Sequence, residues 1–279
     1  MIESQAFWPA PAKLNLLLRI TGRRADGYHE LQTVFQFLDF FDELRFQLRQ
    51  DESISCTGIP GLDDEDNLVV QAARLLQAAA RTGLGSDIHI LKRLPMGGGL
   101  GGGSSDAATT LLALNQLWGA NLETERLAGL GLQLGADVPV DISGHSAWAE
   151  GIGAEITPFS LRVPWYLVLT PPVHVATGEI FCDSRLTRDA DRIKIRDFLA
   201  GQHNNACLPI VRNRYPEVGD ALDWLGKHAD ARLTGTGACI FATFQSRQEA
   251  EAILNKAPRG LTGFVARGLN ESPVKQLLK

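Results

Sequence analysis

Leu94–Ala108 reads LPMGGGLGGGSSDAA, and six of the seven residues from Gly97 to Gly103 are glycine, broken only by Leu100. An apolar stretch containing Ile88 and Ile90 precedes the run and is ended by Pro95, whereas Ala107, Ala108, Leu111, Leu114, Leu117 and Trp118 follow it at helical spacing. The pattern predicts strand, glycine loop, helix, with Ser104 or Ser105 as the helix cap. Glycines take positive φ and let the backbone approach a ligand closely. The first turn of the helix adds free N–H groups and a partial positive charge, so the ligand such a loop suits is a phosphate chain. The plain alternative is a flexible linker, but linkers are not usually fused between an apolar strand and a capped helix. Gly97, Gly99 and Gly102 satisfy the dinucleotide pattern G-x-G-x-x-G, yet nearly any pattern fits a glycine run, and a Lys-Arg-Leu-Pro lead-in does not open a βαβ unit. No Lys-Ser or Lys-Thr pair follows the glycines, which argues against a Walker-type loop.

Working outward, Lys13 to Ile20 alternates, with Leu14, Leu16, Leu18 and Ile20 expected on one face of a strand and Lys13, Asn15, Leu17 and Arg19 on the other. Asp26-Gly27 signals a turn, after which Tyr28–Phe37 returns as a second strand and Glu43–Leu48 forms a third. Asp66-Asn67 offers an N-cap to a helix running toward Gly83, and another helix is expected from Glu123 to Leu134, stopped by Gly135. Beyond two prolines within residues 156–164, Trp165 opens a strand, 218–228 a helix, Ile240–Phe244 a strand, 247–256 a helix and Gly263–Arg267 a closing strand. Strands and helices that interleave, with hairpins as well as crossovers, predict two α+β domains, over 1–160 and 161–279.

Composition agrees with that count and narrows the function. A chain of 279 residues suits about two domains, and 44% hydrophobic with 21% charged residues is globular. The formal charge is −5, carried unevenly as −9 over 1–160 and +4 over 161–279, so a chain-wide attraction to nucleic acid is not expected. No apolar run approaches the roughly 18 residues of a membrane span, and MIESQAFWPAP lacks a charged-then-apolar leader pattern; a cytoplasmic protein with no membrane partner is expected. Cys56, Cys182, Cys207 and Cys239 share no close spacing and the six histidines form no HxxxH pair, so free thiols and no zinc site are expected. Oligomeric state is not legible.

Asp137 sits in Gly-Ala-Asp-Val-Pro, where the chain leaves a helix; a carboxylate there is either a solvated or capping residue or a base. Lys13, within a mostly apolar strand, either reaches solvent at an edge or points into a cleft, with Asn15 on the same face. The Tyr28-His29 pair alone reads as a half-buried strand end, Phe181 as core and Gly235-Thr236-Gly237 as a tight turn into a strand.

LPMGGGLGGGSSDAA resembles the phosphate-binding motif P-x-G-x-G-L-G-x-S-S of the GHMP small-molecule kinases. Pro11–Leu31 (PAKLNLLLRITGRRADGYHEL) and Leu233–Phe244 (LTGTGACIFATF) resemble that family's flanking motifs, in the family's order. With Leu134–Val140 and Gly263–Pro273, the likeness is to the members whose alcohol substrate is a cytidine-diphosphate-linked methylerythritol, and it covers nearly the whole chain. The resemblance implies an N-terminal domain like domain 2 of ribosomal protein S5, a ferredoxin-like C-terminal domain, and a site between them. It implies ATP on Pro95, Met96, Gly97, Gly98, Gly99, Leu100, Gly101, Gly102, Gly103, Ser104 and Ser105, with Asn67 near the adenine. It makes Asp137 the catalytic base and Lys13 its electrostatic partner, and it assigns the substrate to Asn15, Tyr28, His29, Thr177 and Phe181, with Tyr28 and Phe181 enclosing the cytosine. Mg²⁺ is expected with the ATP, held largely by phosphates and water with no protein ligand assigned; Ser105 and Asp106 are candidates for direct or water-mediated contact. Another small alcohol, mevalonate-like or homoserine-like, is the rival substrate. A dinucleotide oxidoreductase and a regulator that binds nucleotide without chemistry are the rival classes.

Overall fold

The computed structural model describes residues 7–25, 27–59 and 61–278; Asp26 of the expected turn lies outside the described residues. Two long strands form the spine. β1 (Trp8–Arg23) and β2 (His29–Arg49) run antiparallel over almost their whole lengths. The two strands expected at Tyr28–Phe37 and Glu43–Leu48 are therefore one: between them lies LDFFD, which contains no glycine or proline to break a ladder. β2 also pairs with β4 (Gly85–Leu91) along 43–49, with β5 (Ala147–Glu150) along 33–35 and with β10 (Thr262–Leu269) at 37–38, the last joining the two halves of the chain. Every residue from Gln32 to Leu38 is buried, because this stretch lies under layers on both faces. Its buried polar groups are satisfied: Gln36 donates to the Arg162 carbonyl at 2.8 Å and accepts from the Tyr166 hydroxyl at 2.5 Å.

β3 (Ile54–Thr57) pairs parallel with β4, and β6 (Glu155–Pro158) pairs antiparallel with β5. Helices α1 (Leu68–Ala80), α2 (Gly102–Leu117) and α3 (Thr124–Leu134) bury their apolar sides with Trp8, Leu44, Phe46 and Ile88 in one core. The stripe read on α2 is buried as expected from Ala107 to Leu114 and at Trp118, with Leu117 partly buried. A short helix, α4 (Val138–Ser143), follows α3 after Gly135.

In the second half, β7 (Trp165–Thr170) lies between β10 and β9 (Ile240–Phe244), with β8 (Arg232–Leu233) on the far side of β9. Helices α5 (Thr177–Cys182), α6 (Ile195–Leu199), α7 (Leu208–Arg214), α8 (Pro216–Leu225) and α9 (Arg247–Leu254) complete this half, and Ile180, Val211, Leu222 and Ala250 pack with Leu167 and Ile240 in a second core.

Two local expectations fail for identifiable reasons. The series Leu14, Leu16, Leu18, Ile20 does not stay together. A register shift between Asn15 and Leu17 breaks the alternation, and Leu14 and Leu16 join a central core while Leu18 and Ile20 join the second-half core. Neither Ser104 nor Ser105 caps α2. The helix begins earlier, from Gly101 in the left-handed region at φ 71°, with no side-chain cap.

Candidate functional site

A cleft of about 1000 Å³ runs along the mouth of β1 and β2, roofed by the glycine loop and walled on the far side by α5 and the Gly235-Thr236 turn. The loop is pinned from three directions and is no linker. The Lys13 N–H donates to the Leu100 carbonyl at 2.9 Å, the Cys239 N–H to that of Gly98 at 3.0 Å, and the Thr234 hydroxyl to that of Gly99 at 3.1 Å. Gly99, at φ 73°, lies so close to the second half that a Cβ there would stand 2.4 Å from the Thr234 carbonyl oxygen.

Because the first intrahelical bond of α2 is from the Ser105 N–H to the Gly101 carbonyl, at 2.9 Å, the N–H groups of Gly102, Gly103 and Ser104 have no partner within the helix. Gly97 through Ser104 all line the cleft, as do Pro95 and Met96. Ser105 does not: it is buried under the loop, its hydroxyl without a hydrogen-bond partner. Asn67 lines the cleft and caps α1 at once, its Oδ1 accepting from the Val69 N–H at 3.0 Å.

Below the loop, Lys13 is 1% exposed and its ammonium donates to Asp137 Oδ2 at 2.7 Å. The ammonium also lies 4.6 Å from the centre of the Phe35 ring, on β2. Asp137 stands at the start of α4, its side chain 43% exposed and facing the cleft. The pair thus has a buried cation behind an accessible carboxylate. Asn15 donates to the Thr33 hydroxyl at 2.8 Å and keeps a face on the cleft.

At the wall formed by α5, the rings of His29 and Phe181 lie 5.2 Å apart at 35°, and Tyr28 is 60% exposed at the rim. Thr177 exchanges a 2.9 Å hydrogen bond with Thr236. Burial, with help from the Arg188 and Arg23 guanidiniums, lowers the His29 pKa below the ordinary imidazole value.

Four further residues shape this environment, Thr234 from within the Leu233–Phe244 motif and Lys92, Asp42 and Asp141 from outside every motif. Thr234 is fully buried and its hydroxyl accepts from the Asn15 N–H at 3.0 Å while donating to Gly99, tying strand to loop. Lys92, on the cleft wall, bridges Asp42 at 2.5 Å and Asp106 at 2.8 Å; burial first and the Asp42 carboxylate second push Asp106 up to about 7. Asp42 also accepts from the Arg93 and Leu94 N–H groups and so fixes the lead-in to the loop. Asp141, one turn along α4 from Asp137, is buried with neither oxygen hydrogen-bonded. Lysine-carboxylate bridges across 50 or 14 residues leave no periodic trace.

Residues 67–145 match the GHMP kinases N terminal domain and residues 187–262 the GHMP kinases C terminal domain. A 4-diphosphocytidyl-2-C-methyl-D-erythritol kinase of Pseudomonas syringae pv. tomato is 55% identical over 280 residues, spanning 100% of this chain and 99% of its own. This chain belongs to the GHMP kinases, in their 4-diphosphocytidyl-2-C-methyl-D-erythritol kinase family. The corresponding kinase of Ectopseudomonas mendocina is 56% identical over 278 residues, spanning 99% of this chain and 96% of its own. A crystal structure of a 4-(cytidine 5'-diphospho)-2C-methyl-D-erythritol kinase superposes with a TM-score of 0.82 at 29% identity, covering 94% of this chain and 99% of that one. The mevalonate kinase of Methanococcus jannaschii, at a TM-score of 0.69 and 15% identity, shares the fold. In this GHMP kinase the α+β halves, the S5-like first and the ferredoxin-like second, both supply walls of the one cleft. No helix among the described residues is long and apolar enough to cross a membrane.

Proposed function

We propose that this GHMP kinase transfers the γ-phosphate of ATP to the 2-hydroxyl of 4-diphosphocytidyl-2-C-methyl-D-erythritol, giving the 2-phosphate and ADP, a step of non-mevalonate isoprenoid-precursor synthesis. The observation that carries the chemistry is the Lys13–Asp137 pair, 2.7 Å apart, in the same cleft as the unpartnered N–H groups of the glycine loop. Phosphoryl transfer needs positioning and charge stabilisation more than covalent help. The accessible Asp137 carboxylate orients the substrate hydroxyl and takes its proton as the oxygen–phosphorus bond forms and the bond to the ADP oxygen breaks. Lys13, held behind it, offsets negative charge on the transferring group. Residues 95–104 receive the ATP phosphates and Asn67 borders the adenine end.

Tyr28, His29 and Phe181 form the end that receives the cytosine, and Asn15 and Thr177 border the path between base and hydroxyl. That aromatic wall favours the cytidyl substrate over a mevalonate-like or homoserine-like alcohol, neither of which has a base to stack. Among the described residues no group of three or more His, Cys, Asp or Glu converges. Asp106, though its Oδ1 has no partner, is buried and committed to Lys92. Mg²⁺ would arrive on the ATP phosphates, held largely by phosphate oxygens and water. The two units at 1–160 and 161–279 and a cytoplasmic location complete the reading. Measuring ADP release with the cytidyl alcohol, mevalonate and homoserine in parallel tests it: turnover confined to the first supports the proposal, and turnover confined to either of the others overturns the substrate.

A further inference from the structure

Arg188 ties together the two sides of the base-binding wall. Its Nε donates to His29 Nε2 at 3.0 Å, its Nη2 to the carbonyls of Phe181 and Asp183, both at 2.8 Å, and its Nη1 to that of Leu186 at 3.1 Å. Four of the five N–H groups of a planar, rigid fork are thereby committed, three to the turn that carries Phe181 and one to the imidazole at the start of β2.

This geometry restricts the histidine. A guanidinium donates and never accepts, and it stays charged at any working pH. His29 Nε2 must therefore offer its lone pair, which leaves the ring proton on Nδ1 and disfavours the doubly protonated ring. Burial and the nearby Arg188 and Arg23 charges act in the same direction on the ring's proton affinity. Among the described residues no hydrogen bond is made by Nδ1. The imidazole on the cleft wall thus presents one donor and no acceptor.

We infer that Arg188 is a specificity-determining positioning residue: by holding His29 in the Nδ1–H form it selects a pyrimidine with an unprotonated ring nitrogen, as in cytosine, over one that carries N–H there, as in uracil. This rests on the proposed reading of His29 as a base contact. A donor facing a donor is a buried, unpaired polar contact, and its cost corresponds to roughly a tenfold to hundredfold difference in affinity. Arg188 itself touches no reacting atom. It acts through the tautomer of His29 and through the seat of the Phe181 ring.

Two measurements on the full-length protein test this. Nitrogen-15 NMR of the His29 ring at neutral pH reads the tautomer directly: a protonated Nδ1 with a bare Nε2 is expected, and the opposite tautomer or an imidazolium overturns the inference. Calorimetric titration of CMP and UMP, with ADP saturating the glycine loop, reads the selectivity of the wild type, Arg188→Met and Arg188→Lys. The wild type should prefer CMP by at least about tenfold. Arg188→Met should bring the two within about threefold, and Arg188→Lys, which keeps a donor, should recover part of the preference. An unchanged preference in Arg188→Met, with a wild-type melting curve, overturns the role. If Arg188→Met does not fold, the wild-type tautomer and Arg188→Lys still decide. Wild type that binds neither nucleotide while showing the Nδ1–H ring would refute the cytidine reading and the selectivity built on it, leaving the tautomer assignment standing.

Discussion

Replacing Gly101 by alanine tests whether the loop and the Lys13–Asp137 pair are mechanically one unit. Gly101 sits at φ 71°, where an L-residue costs about 1–2 kcal/mol. The added Cβ would also stand 2.7 Å from Lys13 Nζ, 2.9 Å from its Cε and 3.1 Å from its Cγ. Rotating the tip of the lysine away does not relieve the contact with Cγ, so the whole stem must shift. Reaching ordinary contact moves the ammonium by about 0.8 Å, away from a carboxylate it now meets at 2.7 Å. Misplacing a catalytic group by about 1 Å is worth about 10²-fold in rate. Gly101→Ala should therefore melt roughly 2–8 °C lower and lose about 10²-fold in kcat. Gly129→Ala is the matched control: it lies exposed in α3, at an ordinary φ, with nothing near the new Cβ. It should gain about 0.5–1 kcal/mol of stability and keep wild-type turnover. ADP release by a coupled assay, with thermal melts of both proteins, gives the answer. A Gly101→Ala enzyme that is folded and within threefold of wild-type kcat would refute the coupling.

Asp141 makes stability depend on pH in the sense opposite to a salt-bridged carboxylate. Burial foremost, with the Asp137 and Asp106 carboxylates adding and Lys13 opposing, raises its pKa well above the usual value. The folded state then keeps a proton that the unfolded state gives up near pH 4. The contribution is full below that pH and is lost as pH rises toward the folded value. Asp141→Asn, neutral throughout, should gain on wild type in Tm between pH 5 and pH 8; a constant difference would contradict the argument. Tyr28→Ala should raise the KM of the cytidyl substrate about tenfold, the worth of one stacking partner, and leave that for ATP within twofold. A shift confined to ATP would move Tyr28 out of the base wall.

The glycine loop was legible because its chemistry is local: strand, glycines and helix follow one another in the chain, and Asn67 was readable as a cap for the same reason. The long β2 read as two strands, at Tyr28–Phe37 and Glu43–Leu48, and its continuity through Leu38–Asp42 shows only in its pairing with β1, β4, β5 and β10. The split of the β1 leucines was not legible, because a register shift such as that between Asn15 and Leu17 appears only in the pairing of β1 with β2. Lys13 and Asp137 lie 124 residues apart and are brought together by the fold, in which α4 packs on α2 and α2 on β1. Strand alternation placed Lys13 with Asn15; its orientation toward Asp137 needed either the fold or a family likeness. Lys92 and Arg188 show the limit most clearly. Each acts through ion pairs or hydrogen bonds to residues distant in the chain, Asp42 and Asp106 for the one and His29 for the other, and single polar residues of this kind leave no local pattern.

Phosphorus-31 NMR of a reaction containing ATP, Mg²⁺ and 4-diphosphocytidyl-2-C-methyl-D-erythritol, run with wild type and with Asp137→Asn, tests both the phosphoryl transfer and the part Asp137 plays in it. Wild type should form ADP and a new phosphomonoester in equal amounts. Asp137→Asn should lose at least about 10²-fold in rate and retain its ATP affinity. A wild type that forms no phosphomonoester, or an Asp137→Asn protein that forms it at the wild-type rate, would contradict the proposed mechanism.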